Sequence, residues 1–290
     1  MIAIDLDGTL LGPRGEVTPR AKAAVHRALS AGLLVCFATG RNWTESRTVL
    51  DAVEHYASAV FAGGAMVIDT QRQVTLHRMM MAPGLAREIC SHLEAQGHAV
   101  LALQDTAAAG IDYLVTGDAP LNEATTHWMG ATAAVVRRVP RLAEHSHEHT
   151  VRVGIVAPRE AVQRSVRSLE EALGERVVLQ SLYVPAYGVE VLEVFDPAVN
   201  KWEGVLHVAR RHGITPEEIV AVGDDVNDLP MLRQAGLGVA MGNARPEAKA
   251  AAKLVIGSNA DEGLAKFLEE LVASHAVEPL AEVDEKATVT

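Results

Sequence analysis

Two aspartates one residue apart, Asp5 and Asp7, follow the apolar run Met1-Ile2-Ala3-Ile4, and Gly8-Thr9-Leu10 comes next. Alternate residues of a strand face opposite ways, so acids at this spacing converge only where the strand has ended. The chain therefore curls at Leu6 to Gly8 and wraps its amides around whatever the acids hold. An acidic turn with no function uses the same residue types. What separates the two readings is a set of polar residues at other strand ends and helix starts. These are Thr39-Gly40-Arg41, Lys201, and Gly223-Asp224-Asp225-Val226-Asn227-Asp228.

Carboxylates gathered at one edge repel one another, and their charged forms persist beside a cation. The candidate ligands are hard oxygens, with no cysteine among them, which selects Mg²⁺ over Zn²⁺. Lys201, Thr39 and the turn amides add one positive charge and several donors, the equipment for holding a phosphoryl group. One carboxylate can then attack phosphorus to form an aspartyl phosphate. The other can protonate the leaving oxygen and later deprotonate the water that cleaves the intermediate. Asp5, at the strand end nearest the metal, suits the nucleophile. Asp7, further out on the turn, suits the acid/base.

These residues need a scaffold that brings distant segments to one edge. After the first strand, Thr18-Pro19 opens a helix that Gly32 ends, and a strand over 33–38 follows. A helix over 44–55 and a strand over 59–62 come next. This rhythm predicts parallel strands with right-handed crossovers, whose ligands bind at the carboxyl ends. From residue 65 the rhythm changes to a hairpin and then to short strands that outnumber helices. Strands are expected near 99–103, 112–115, 134–138, 151–156, 177–180 and 189–194, with helices near 121–128 and 159–173 and a loop over 183–188. The expectation is a Rossmann-like α/β core over 1–81 and 196–276. An α+β cap over 82–195, an antiparallel sheet with helices on one face, is inserted into it. Residues 277–290 read as an acidic, disordered tail.

A formal charge of −11 argues against nucleic acid, whose phosphates need clustered Lys and Arg. No run of about 18 apolar residues predicts a membrane span. The two cysteines, Cys36 and Cys90, sit in apolar segments and read as buried thiols in a reducing cytoplasm. The alternating His145, His147 and His149 lack a closing acid or cysteine partner and read as a solvated loop or strand end rather than a metal site.

At this point the chain resembles the haloacid dehalogenase-like superfamily. The likeness rests on Asp5-Leu6-Asp7-Gly8-Thr9, Thr39-Gly40-Arg41, Lys201 and the segment 223–228, in that order. Met241-Gly242-Asn243-Ala244 and Asn259-Ala260-Asp261-Glu262-Gly263 resemble its Cof-type branch, type IIB, with an α/β cap. The resemblance implies a Mg²⁺-dependent phosphatase of small phosphate esters, such as sugar phosphates or phosphorylated cofactors. It implies Asp5 as nucleophile and metal ligand, and Asp7 as acid/base with its carbonyl on the metal. Asp224 and Asp228 would complete the metal site. The Leu6 turn, Thr39, the Gly40 amide, Lys201 and Asn227 would hold phosphate, with Arg41 and Asn42 as candidate substrate contacts. Asp225 reads equally as a solvated turn acid.

Two residues depart from the family pattern. Gly63 stands where an Asn is common, and Trp202 follows the motif lysine where Gly is common; Trp202 is expected to pack on the insert or narrow the pocket. Arg137, Arg138, Arg141 and Arg152 keep a sugar phosphomutase as an alternative. A phosphoacceptor module is a second alternative, against which the presence of Asp7 speaks.

Overall fold

Ile2, Ala3 and Ile4 are buried because the strand they form, β1 (Ile2–Ile4), runs through the middle of a sheet. The computed structural model describes residues 1–118, 121–132, 134–185 and 187–275, so the expected tail lies outside the described residues. Helix α1 (Pro19–Ser30) begins where the Thr18 hydroxyl accepts from the Ala21 amide, and it leads to β2 (Val35–Phe37). Asn42 caps α2 (Trp43–Val53): its Oδ1 accepts from the Glu45 amide, and the Glu45 carboxylate accepts from the Asn42 amide. Strand β3 (Ser58–Phe61) and the hairpin strands β4 (Met66–Asp69) and β5 (Val74–Arg78) follow.

The insert opens with α3 (Pro83–Ala95) and contains β6 (Leu101–Gln104), α4 (Thr106–Ala109), β7 (Tyr113–Thr116) and α5 (Glu123–Thr132). It continues with β8 (Val136–Val139), β9 (Thr150–Pro158), α6 (Arg159–Leu173), β10 (Val178–Val184) and β11 (Val189–Phe195). The chain then resumes its first rhythm with α7 (Lys201–Arg211), β12 (Val220–Gly223), α8 (Leu229–Gln234) and β13 (Leu237–Ala240). It ends with α9 (Pro246–Ala251), β14 (Leu254–Val255) and α10 (Gly263–His275).

The core sheet is parallel, in the order β14-β13-β12-β1-β2, and a parallel bridge from Ala38 to Val60 joins β3 to its edge. The chain leaves β1 toward β2 on one side and returns on the other as β12. That places a topological switch point, the usual ligand crevice of such sheets, between the ends of β1 and β12. Asp5 and Asp224 are the residues that stand there.

The second sheet has the order β10-β11-β9-β6-β7-β8. Four of its five pairings are antiparallel, but β7 and β8 run parallel. Their connection is the crossover α5, which carries the chain back along the sheet so that β8 enters in the same direction as β7. Apolar residues of one sheet face, Val153, Ile155, Leu192 and Val194, pack with Ile89 and Leu93 of α3 and Val162 and Leu169 of α6. The alternate residues Leu101, Leu103, Tyr113 and Val115 belong to the same apolar cluster as Phe37, Leu50 and Phe61 of the core, so this face is seated on the core.

Three expectations need correction. Strand β10 runs on through Tyr183 and Val184, pairing with Glu190 and Val189, where a loop was expected. His147 is fully buried rather than solvated. Its Nε2 donates to the Leu142 carbonyl (2.7 Å) and its Nδ1 accepts from the Thr150 hydroxyl (2.9 Å), so it staples its loop to β9. Trp202 faces neither insert nor pocket. It is 2 % exposed among Val60, Val67 and Val205 on the other side of the sheet. Among the described residues, no helix is long and apolar enough to cross a membrane.

Candidate active site

Four loops at the carboxyl ends of adjacent strands build the site. The first, Leu6–Leu10, curls so tightly that the Leu10 amide reaches the Asp5 carbonyl and the Leu11 amide the Leu6 carbonyl. Gly8 is at φ +79°, and a Cβ there would stand 2.2 Å from an oxygen of Asp224. Glycine is therefore required both by the turn and by the carboxylate lying against it. The Gly8 carbonyl accepts from Asn243 Nδ2 (2.8 Å), and the Thr9 hydroxyl donates to Asp224 Oδ1 (3.2 Å). Neither Thr9 nor Asn243 was assigned a site role from sequence, although both lie inside the motifs that carry the family resemblance.

Lys201 stands at the first position of α7 and is 1 % exposed. Its ammonium donates to Asp5 Oδ1 (2.6 Å), Asp228 Oδ1 (2.7 Å) and Asn227 Oδ1 (3.2 Å). The other Asp228 oxygen accepts from the amides of Asp224 and Asp225 (2.9 and 3.0 Å), so this buried acid also shapes the turn after β12. Gly223 makes room for it, since a Cβ there would collide with the Asp228 carboxylate. Asp225 turns away: its carboxylate accepts from the Val226 amide and pairs with Arg245.

Asp5, Asp224 and Asp228 offer oxygens that all lie within 4.8 Å of one another. Three carboxylates then face one ammonium. Burial, together with the charges of Asp228 and Asp224, holds the Asp5 carboxyl well above its usual range against the pull of Lys201. Burial and Asp228 push Asp224 up to about 6. Lys201 is raised, since Asp228 and Asp5 outweigh the cost of burying its charge. A hard divalent cation fits this set: it would supply the missing positive charge, and every donor is an oxygen.

Asp7 lies outside that cluster. Its carboxylate is about half exposed and receives both Nε and a terminal nitrogen of Arg41, a bidentate pair that ties the first loop to the second. Thr39 is buried and its hydroxyl accepts from the Arg41 amide (3.1 Å). Gly40 lies beside the Asn227 amide group of the turn after β12. Asn42 is 1 % exposed, and both ends of its side chain are engaged, by the Glu45 amide and by Tyr113 of the cap (3.1 Å). These bonds make it a tie between cap and core.

At position 63, φ is +65° and a Cβ would meet the Phe195 ring at 3.4 Å. That is an ordinary contact, so the space around position 63 does not itself exclude a family-type Asn. Of the four arginines behind the mutase alternative, Arg137 and Arg138 are exposed on β8, and Arg141 pairs with Glu94 and Glu144 of the cap. Arg152 reaches the second core loop, at the Gly40 carbonyl.

A capped parallel α/β sheet with acids and a lysine at its switch point defines a phosphoryl-transfer type of hydrolase. The sequence profile of the haloacid dehalogenase-like hydrolases matches residues 2–268, and the chain belongs to that family. It is similar to the 5-amino-6-(5-phospho-D-ribitylamino)uracil phosphatase YwtE of Bacillus subtilis, with 25 % identity over 94 % of this chain and 98 % of the relative. It is also similar to the HMP-PP phosphatase of Cronobacter sakazakii, with 26 % identity over 84 % and 85 %. Among solved structures, a sugar phosphatase of HAD subclass IIB superposes with a TM-score of 0.74 over 93 % of this chain and 98 % of its own, at 21 % identity, and shares the fold.

Proposed function

We propose that the protein is a Mg²⁺-dependent phosphatase of a small phosphorylated metabolite, working through an aspartyl phosphate on Asp5. The observation that carries this reading is Lys201, which holds Asp5 at 2.6 Å on one side and Asp228 at 2.7 Å on the other, in a buried site. A carboxylate fixed at a strand tip beside a buried ammonium is placed to attack an electrophile whose negative oxygens the ammonium stabilises. Bound at Asp5, Asp224 and Asp228, Mg²⁺ would neutralise phosphoryl oxygens and favour the ionised forms of these acids.

The chain's own residues do the rest. An Asp5 oxygen bonds to phosphorus as the bond to the leaving oxygen breaks, and Asp7 gives that oxygen a proton. Asp7 then takes a proton from water, whose oxygen attacks phosphorus and releases Asp5 and inorganic phosphate. Arg41 fixes the direction of the Asp7 carboxylate through its two bonds. Thr39, Gly40 and Asn227 hold phosphoryl oxygens, and the seated cap keeps bulk water out. The named relatives support a small phosphorylated substrate, of the kind of the phosphoribitylamino-uracil for which one of them is named.

The test is a panel of such phosphomonoesters read by released inorganic phosphate, with and without Mg²⁺. Metal-dependent release from at least one member is expected. Interconversion of sugar phosphates without release would favour the mutase, and a lasting phosphoenzyme would favour the phosphoacceptor.

A further inference from the structure

Arg152 projects from β9 of the cap, is 7 % exposed, and has no part in the chemistry above. One terminal nitrogen donates to the Gly40 carbonyl (3.2 Å) and pairs with Glu193; the other donates to the Tyr113 hydroxyl (3.0 Å). Tyr113 in turn accepts from Asn42 Nδ2 (3.1 Å) and donates to Glu45 Oε1 (3.2 Å). Burial keeps its phenol well above the usual range, so it stays a neutral donor. Two cap residues thus grip the second core loop at three points: a carbonyl, an amide side chain and a carboxylate.

The first of these points bears on the phosphate site. The Gly40 carbonyl and the Arg41 amide are the two ends of one planar peptide unit, so fixing the oxygen fixes the direction of the N–H. That N–H is the group that donates to Thr39 Oγ1 (3.1 Å). A hydroxyl that accepts on one side keeps its own proton for an acceptor elsewhere. We propose that Arg152 is a positioning residue. By holding the Gly40–Arg41 peptide from the cap, it aims the Thr39 hydroxyl at the phosphoryl group, so that the phosphate pocket is complete only when the cap is seated. This rests on the reading of Thr39 as a phosphate-binding residue of a phosphatase.

Arg152→Lys keeps a positive charge beside Glu193 but cannot span the Gly40 carbonyl and the Tyr113 hydroxyl together. Tyr113→Phe keeps the ring, which packs edge-on against Trp128, and removes only the hydroxyl. Both variants of the full chain are assayed in Mg²⁺ with acetyl phosphate and with the best larger ester, alongside the inhibition constant of inorganic phosphate. Displacement of a catalytic loop from outside the reacting centre costs on the order of 10²-fold. The expected result is a loss of about ten- to a hundredfold in kcat/KM, by the same factor for both substrates, with the phosphate constant rising in parallel.

A loss confined to the larger ester would make Arg152 a leaving-group contact and overturn the proposal. A fall in kcat with an unchanged phosphate constant would make it a fold clamp, with the same consequence. If Arg152→Lys does not fold, Tyr113→Phe decides alone. Calorimetric binding of inorganic phosphate separates this inference from the phosphatase reading. A wild type that binds phosphate but turns over no ester overturns the latter, while weakened phosphate binding in Tyr113→Phe still supports the role of Arg152 and unchanged binding still removes it.

Discussion

Lys201 Nζ and Asp5 Oδ1 meet at 2.6 Å across 196 positions of sequence, and both side chains are buried. The pair joins the tip of β1 to the start of α7, and Asp228 closes the triad from the turn after β12. Breaking a buried pair from one side leaves charge without a partner and costs about 3–5 kcal/mol. Lys201→Met is therefore expected to lower the melting temperature steeply in metal-free buffer and to abolish turnover. Adding Asp5→Asn to that variant removes one stranded carboxylate. Thermal denaturation of the double variant should show part of the stability restored, with activity still absent.

The carboxylate excess sets a pH dependence. Asp224 titrates at about 6 in the folded, metal-free protein against 3.8 ordinarily. Across that window the folded state holds a proton that the unfolded chain has lost. Stability from this group is therefore greatest at the acid end and falls as pH rises from about 4 to about 6. Mg²⁺ needs the anion, so its effect runs the other way. The rise in melting temperature on adding Mg²⁺ should therefore grow as pH rises through about 6 and shrink below it. Scanning calorimetry with Mg²⁺ or with EDTA, across this range, checks both slopes.

Gly8 sits where the turn and the acid cluster touch. In Gly8→Ala the new Cβ falls 2.2 Å from Asp224 and the backbone keeps a left-handed φ of +79°. The backbone term alone costs about 1–2 kcal/mol. The displaced carboxylate should also weaken the Mg²⁺-induced rise in melting temperature. Activity is expected to fall by more than the loss of stability accounts for, measured as kcat per folded molecule.

Trp202 tests the opposite face of the same helix. Its indole lies among Val60, Val67 and Val205, away from the site. Trp202→Ala should cost about 3–5 kcal/mol of stability, as large-to-small changes in a packed core do. KM should stay the same; a changed KM would place this residue at the pocket after all.

The core was legible because its signals are local: Thr18 caps α1 as the sequence predicts, and strands end on the polar motifs. The same motifs brought Asp5, Lys201, Asp224 and Asp228 to one expected edge, where their side chains do meet. What was not legible depends on how the insert seats. Nothing in the spacing of Asn42, Tyr113 and Arg152 reveals that they share one hydrogen-bonded node across two sheets. His147 misled through composition, since an Glu/His-rich run reads as solvated until a carbonyl and a hydroxyl partner are seen to satisfy the ring. The parallel entry of β8 follows from the placement of α5, which periodicity does not specify. Arg41 read as a candidate substrate contact, and pairing with Asp7 is the contact observed.

The central claim is that Asp5 is the group that takes the phosphoryl. Single-turnover assays of wild type, Asp5→Asn and Asp7→Asn with an aryl phosphate in Mg²⁺, read by released phosphate and by the mass of the quenched protein, test it most directly. Wild type should release phosphate. Asp7→Asn should accumulate one phosphoryl group on Asp5 while kcat falls by about 10²–10⁴-fold. Asp5→Asn should show neither adduct nor release, whereas Asp5→Asn that turns over at the native rate would contradict the account.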